Sequence, residues 1–190
     1  MENQALFEKY VEGRHWDNHP DKYAVRFAGF LKKFGLVGTV LDVGCGSGRD
    51  VAVFKKNGLR IVGLDNDLDE IALASLHNPD VTIRLMDAHE LRFPSETVAA
   101  AYMVNVIHYL KAAVAIAEIF RVLKPGGHFL VHFNRRITDH AGQIDYELPE
   151  ATIADWTRLF RVVQTDDFQR FDIEPLPHTH LIRELILMKP

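Results

Sequence analysis

Cysteine is almost absent from this chain: Cys45 is the single one among 190 residues, so no internal disulfide can form. That excludes the disulfide-framework class of small secreted domains and fits a reducing compartment. Also missing is any run of about 18 or more apolar residues, the length a membrane-spanning helix needs. Met1 to Tyr10 have neither the basic start nor the apolar core of an export leader, so none is expected there. There is no excess of basic charge either. The net charge of −4 argues against a surface built for nucleic acid. No repeat, low-complexity tract or linker divides the sequence. The expectation is one cytoplasmic domain over 1–190, with neither a membrane nor a nucleic acid as partner.

What is present fits an ordinary globular α/β chain. Apolar residues make up 47% and charged residues 25%, enough for a core that needs no metal or disulfide staple. The first part, Met1 to Phe34, is amphipathic and aromatic, and it reads as two helices near Gln4–Glu12 and Asp21–Lys33. These form an expected helical cap over 1–38. From Thr39 onward short β-branched runs alternate with helical stretches. Strands are expected at Thr39–Val43, Arg60–Leu64, Val81–Met86, Val98–Asn105 and His128–Phe133, with helices near Arg49–Lys56, Leu68–Leu76 and Lys111–Leu123. This rhythm predicts a doubly wound, Rossmann-like parallel sheet over 39–190. The tail departs from it. A helix near Ala151–Leu159 leads to runs at Phe160–Thr165 and Leu181–Met188 with no helical pattern between them, so these two predict an antiparallel pair around a charged loop, Asp167–His180.

The strongest local signal is Val40-Leu41-Asp42-Val43-Gly44-Cys45-Gly46-Ser47-Gly48-Arg49-Asp50. An apolar strand enters three glycines at alternate positions, and a helix follows. Glycine admits positive φ and lets a ligand approach the backbone. The dinucleotide fingerprint is Gly-x-Gly-x-x-Gly. Here Arg49 stands where its third glycine belongs and would obstruct helix–strand packing, so a nicotinamide or flavin dinucleotide is disfavoured. The second strand ends Gly63-Leu64-Asp65-Asn66-Asp67, which puts the Asp65 carboxylate where both ribose hydroxyls of a nucleoside can donate to it. Asp67 reads as the cap of the next helix. The third strand ends Leu85-Met86-Asp87-Ala88, and an acid there either accepts from the exocyclic amine of adenine or caps its own loop.

These segments, in this order, resemble the class I S-adenosylmethionine-dependent methyltransferases of the small type 11 kind. Val40–Gly48 matches, as do Gly63–Asp65 with the helix Asp69–Ala74. So do Asp87-Ala88-His89-Glu90-Leu91-Arg92-Phe93-Pro94 and Glu118-Ile119-Phe120-Arg121-Val122-Leu123-Lys124-Pro125-Gly126-Gly127. The resemblance covers about Thr39 to Phe133. It implies a seven-stranded sheet, mostly parallel with the last strand antiparallel, and S-adenosylmethionine as cofactor. By position it puts Gly44, Gly46 and Gly48 against the methionine part, Asp65 against the ribose, and Asp87 with Ala88 against the adenine. Cys45, Asn66 and Asn105 complete the expected cofactor-binding set. Relatives often open the fourth strand with an acid, and this chain has Val98-Ala99-Ala100-Ala101-Tyr102 instead. The other end, Asn105-Val106-Ile107-His108-Tyr109, keeps the family's Asn with His three residues later.

Methyl transfer from a sulfonium needs alignment and exclusion of water, and a base only if the acceptor is protonated. Ligands of open α/β sheets sit beyond the carboxyl ends of the strands. That rule selects His108 and His132 as the expected catalytic pair. No metal is expected. His128 and His132 lie about 13 Å apart along one strand, and His178-Thr179-His180 offers two ligands with no third in view. A small-molecule substrate suits a chain of this size. Two other readings stay open at this point: a binding module or sensor that holds the cofactor without turnover, and another S-adenosyl or aminopropyl transferase on the same fold.

Overall fold

The computed structural model describes residues 22–173 and 176–190. Helix α1 (Lys22–Lys33) leads into β1 (Thr39–Val43), α2 (Val51–Lys56), β2 (Arg60–Asp65), α3 (Leu68–His77), β3 (Thr82–Leu85) and β4 (Val98–Val104). A 3-10 turn at Ile107–Tyr109 precedes α4 (Ala112–Val122) and β5 (Leu123–Asp139). Then come β6 (Ile144–Glu147), α5 (Glu150–Thr157), β7 (Arg161–Asp172) and β8 (His178–Met188). The sheet runs β3-β2-β1-β4-β5-β8-β7, with β6 paired to the far end of β5. Strands β1 to β5 are mutually parallel where they pair. Strand β8 is antiparallel to both of its neighbours, β5 and β7. The Rossmann-like sheet with an antiparallel last strand is therefore present, and β6 is an eighth, short strand beyond the expected seven.

The central strands are apolar because both faces are covered. In β1 and β4 nearly every residue is buried, which gives the continuous apolar runs typical of parallel strands rather than an alternation. One face packs against α1, α2 and α3 through Phe27, Phe54, Ala74, Tyr102 and Leu130. The other packs against α4 and α5 through Ile116, Ile119, Phe129, Phe133 and Ile153. Of the expected N-terminal cap, α1 is the described part. It lies on the first of these faces, with Tyr23, Ala24, Phe27, Ala28 and Leu31 buried. The helix expected at Gln4–Glu12 lies outside the described residues. No described helix is long and apolar enough to cross a membrane.

Two charged stretches near the end of the chain, the expected loop Asp167–His180 among them, are strand for most of their length. The charged stretch Asp167–His180 is the end of β7 and the start of β8. Its charges read as loop because edge-strand residues face water, but several are cross-strand partners. Asp167 sits in register with Arg183 and bonds it at 2.7 Å. Likewise Arg135–Leu148 holds the continuation of β5 and the hairpin to β6, where Arg136 donates to its partner Glu147 at 2.9 Å. Opposite charges directly across a ladder stabilise pairing, a term that hydrophobic periodicity does not see.

Candidate active site

Strand order reverses between β1 and β4, and a crevice opens there beyond the carboxyl ends of the parallel strands. The turn after β1 forms its floor. Gly44, Gly46 and Gly48 all have positive φ, at 74°, 51° and 80°. They are glycine for different reasons. A Cβ on Gly44 would lie 2.4 Å from Val106 Cγ2, so this glycine lets the segment after β4 close onto the turn. At Gly46 the nearest atom is Glu70 Oε2 at 3.5 Å, and the backbone there is open to the crevice. Gly48 corrects the expectation: a Cβ would meet Asn78 Nδ2 at 2.6 Å and Ala74 Cβ at 3.1 Å. It serves the packing of α3 behind the turn and does not line the crevice.

Asp65 ends β2 with both carboxylate oxygens in use. Oδ2 accepts from Gly46 N–H at 2.9 Å and Oδ1 from Asp67 N–H at 3.0 Å. Each oxygen has further lone-pair capacity, and the side chain lines the crevice with Asn66, Met86 and Ala88. Asp67, as expected, caps α3 by accepting from Asp69 N and Glu70 N. Asp87 does both less and more than expected. It lines the neighbouring recess with Asn66 and Met86. Its Oδ1 accepts from His89 N–H at 2.8 Å and pairs with His89 Nδ1 at 2.6 Å. The His89 backbone N–H is the main reason its carboxyl lies below the usual range. His89 Nε2 in turn accepts from Lys111 N–H at 2.9 Å, which ties this loop to the start of α4.

The other half of the crevice is acidic, and sequence reasoning passed over its principal residues. Asp42, Asp50 and Glu70 line it with Gly44, Gly46 and Tyr109. Asp50 is satisfied by Tyr102 OH at 3.0 Å and by the Arg49 guanidinium. Asp42 is 3% exposed, and its Oδ2 has no hydrogen-bond partner among the described residues. Burial first, then Asp50, pushes its carboxyl well above the usual range. Glu70 is shifted up as well, by burial and then by Asp65. A buried carboxylate left incomplete on a crevice wall suits a cationic ligand. The signal was legible as a lone acid inside the apolar run of β1. The two halves share Gly44, Asn105, Val106 and Tyr109, so they form one continuous site.

Asn105 turns the chain at the end of β4 with φ of 60°, a left-handed conformation asparagine tolerates better than most residues. Its N–H extends the ladder to His132 O at 3.0 Å. Cys45 is buried beside Gly63, a Cβ on which would come within 3.0 Å of the sulfur. Burial pushes its thiol pKa up, the setting of a packing side chain rather than of an activated thiolate.

The two expected catalytic histidines are not presented as bases. His132 is fully buried on the α1 face, its ring 4.1 Å from Tyr23 and 5.8 Å from Phe168, with Nδ1 3.7 Å from Glu184. His108 is only partly buried, but its Nε2 accepts from Asn134 N–H at 3.0 Å and its Nδ1 pairs with Tyr146 OH at 2.9 Å. The lone pair a base would need is occupied. Burial, then the neighbouring His132, lowers its pKa to about 3. His108 does follow the end of β4, but His132 lies inside β5, which runs on to Asp139 rather than ending near Phe133.

A consequence for stability follows. Between about pH 6.5 and pH 3 the unfolded chain holds a proton on His108 that the folded chain does not. This residue's contribution is complete above pH 6.5 and is lost as pH falls toward 3. His108→Asn is expected to flatten the acid limb of a urea-midpoint-against-pH curve relative to the parent. Parallel curves for the two proteins would refute the assignment.

Comparison with known proteins shows what the chain is similar to. Residues 41–131 match the profile of a family described as methyltransferase domain. Over this segment, just under half of its length, the chain is similar to the S-adenosylmethionine-dependent methyltransferases. A probable S-adenosylmethionine-dependent methyltransferase of Mycolicibacterium smegmatis is 37% identical over 105 residues, 55% of this chain and 41% of that protein. An S-adenosyl-L-methionine-dependent Diels-Alderase of Talaromyces variabilis is 33% identical over 121 residues, 58% of this chain and 41% of that protein. The chain thus spans about two fifths of the length of these curated relatives. A crystal structure of a Pyrococcus horikoshii protein superimposes with a TM-score of 0.70 at 18% identity, covering 100% of this chain and 99% of that one, which shows the shared fold. The family's cofactor fits the crevice: Asp65 suits the ribose, Met86 and Ala88 an adenine face, and the incomplete Asp42 the cationic methionine end.

Proposed function

We propose that this chain transfers a methyl group from S-adenosylmethionine to a small-molecule acceptor entering over the ends of β4 and β5. The observation that carries the reading is the acidic half of the crevice, where buried Asp42 Oδ2 has no hydrogen-bond partner among the described residues and Asp50 and Glu70 stand beside it. When bound, the cofactor supplies a methyl group on a positively charged sulfur, activated for in-line displacement. The chain's residues position and exclude water. Asp65, held by two backbone N–H groups, fixes the ribose. Asp42 and Asp50 balance positive charge in a low-dielectric pocket. Asn105 and Tyr109, shared by both halves, separate the cofactor from the acceptor's entrance. His108 is a positioning residue that joins the turn after β4 to Asn134 and Tyr146. Single, buried Cys45 supports the cytoplasmic setting that belongs to this reading.

The test is a screen of small acceptors for S-adenosylhomocysteine formed together with a methylated product in equal amounts. The Diels-Alderase relative gives the second reading its footing, because the named reaction of that protein is not methyl transfer. Tight cofactor binding with no S-adenosylhomocysteine from any acceptor would sink the transfer reading. It would leave a domain that holds the cofactor without spending it.

A further inference from the structure

Three side chains the cofactor site does not use come together where β7 and β8 meet the outer end of the sheet. His178 stands directly across from Asp172 in the ladder, and His180 lies two residues on, on the same face of β8. Among the described residues, Asp172, His178 and His180 each offer one ligand atom, and these atoms lie within 4.8 Å of one another. Asp172 Oδ2 is 3.1 Å from His180 Nε2 and 3.9 Å from His178 Nε2. We propose that Asp172, His178 and His180 form a binding site for a divalent transition-metal ion of the zinc class.

Each ring's second nitrogen is committed. His178 Nδ1 is bonded to Leu176 O, and His180 Nδ1 to Asn134 Oδ1 at 2.8 Å. Both partners are acceptors, which favours a proton on each Nδ1, and each Nε2 lies on the Asp172 side. Metal-ligating histidines characteristically carry this outer bond, which fixes tautomer and ring orientation. Zinc bonds of roughly 2.0–2.2 Å place tetrahedral neighbours about 3.3–3.6 Å apart. The two measured separations from Asp172 bracket that span. Both histidines are fully buried, while the Asp172 side chain is 20% exposed, which leaves a path for the ion. Two imidazoles and one carboxylate leave a fourth position for water or an acceptor's heteroatom. The site is tied to the crevice through Asn134, whose side chain holds His180 and whose N–H holds His108.

One competing use of Asp172 is its ion pair with Arg170, at 3.0 Å. Titration of the untagged, metal-free full chain with Co²⁺ and Zn²⁺ separates the two. The expected result is one equivalent bound, a Co²⁺ visible spectrum of nitrogen and oxygen ligation, and no competition from Mg²⁺, which prefers all-oxygen sites. Asp172→Asn and His180→Gln should each weaken binding by tenfold or more. Zn²⁺ should also shift the ring resonances of His178 and His180 in the parent protein, a readout that does not depend on a variant folding. No stoichiometric Co²⁺ spectrum, or unchanged affinity in a folded Asp172→Asn, would overturn the proposal and leave Asp172 as an ion-pairing residue. Neither cofactor nor acceptor is added, so this outcome is independent of the methyl-transfer reading.

Discussion

Asp65→Ala is expected to weaken binding of S-adenosylmethionine and S-adenosylhomocysteine by about 1.5–3 kcal/mol, the usual scale for losing charge-assisted hydrogen bonds. That is roughly a 10- to 150-fold rise in Kd. Two losses combine. The ribose loses its acceptor, and the glycine turn loses the bond from Gly46 N–H to Asp65 Oδ2 that ties it to the end of β2. Asp67→Ala is the control two residues away. Its carboxylate accepts from Asp69 and Glu70 at the start of α3, so its loss should cost about 1 kcal/mol of stability and little affinity. Isothermal calorimetry on both variants, with unfolding curves beside it, makes the comparison. Equal affinity losses in two folded variants would refute the assignment.

Asp42→Asn should move affinity and stability in opposite directions. The folded chain holds a proton on Asp42 at pH values where the unfolded chain has lost it, because burial and Asp50 raise the folded pKa. The carboxylate therefore destabilises the ligand-free protein increasingly as pH rises from the ordinary carboxylate range to the raised folded value, and by a constant amount above it. Asparagine removes that penalty, so the Tm of the ligand-free variant should rise, by about 2–4 °C for each 1 kcal/mol relieved. Cofactor affinity should fall by an amount similar to that for Asp65→Ala. In the parent, a cationic ligand favours the ionised form, so binding releases a proton and strengthens as pH rises toward the raised pKa. The variant should lose that dependence. A lower Tm together with unchanged affinity would show that Asp42 is a structural acid.

Much of the candidate site was legible before any coordinates. Strand β1 ends at Val43 where the apolar run does, because a strand buried on both faces writes its length in hydrophobic residues. The Gly-x-Gly-x-Gly spacing and the acid at the end of β2 are local features, set by backbone conformation and by chain position at the strand end. The histidines illustrate the limit. His108 follows the end of β4 and His132 lies level with that end inside β5, places that follow from chain order, but a base is defined by a free lone pair. The partners occupying His108, Asn134 and Tyr146, are 26 and 38 residues away.

The sequence by itself determined the doubly wound order of elements, the likeness to S-adenosylmethionine-dependent methyltransferases and the residues of the two turns that line the crevice. These depend on periodicities and spacings within about 30 residues, the span of one βαβ unit. Only the tertiary structure decided which glycine faces the crevice, that Asp42 is a buried acid with an incomplete shell, and that charged stretches near the end of the chain are paired strands. It alone brought Asp172 across from His178. Cross-strand register and burial are pairings between distant segments, and a strand's own pattern records which face it buries, not which residue it will meet.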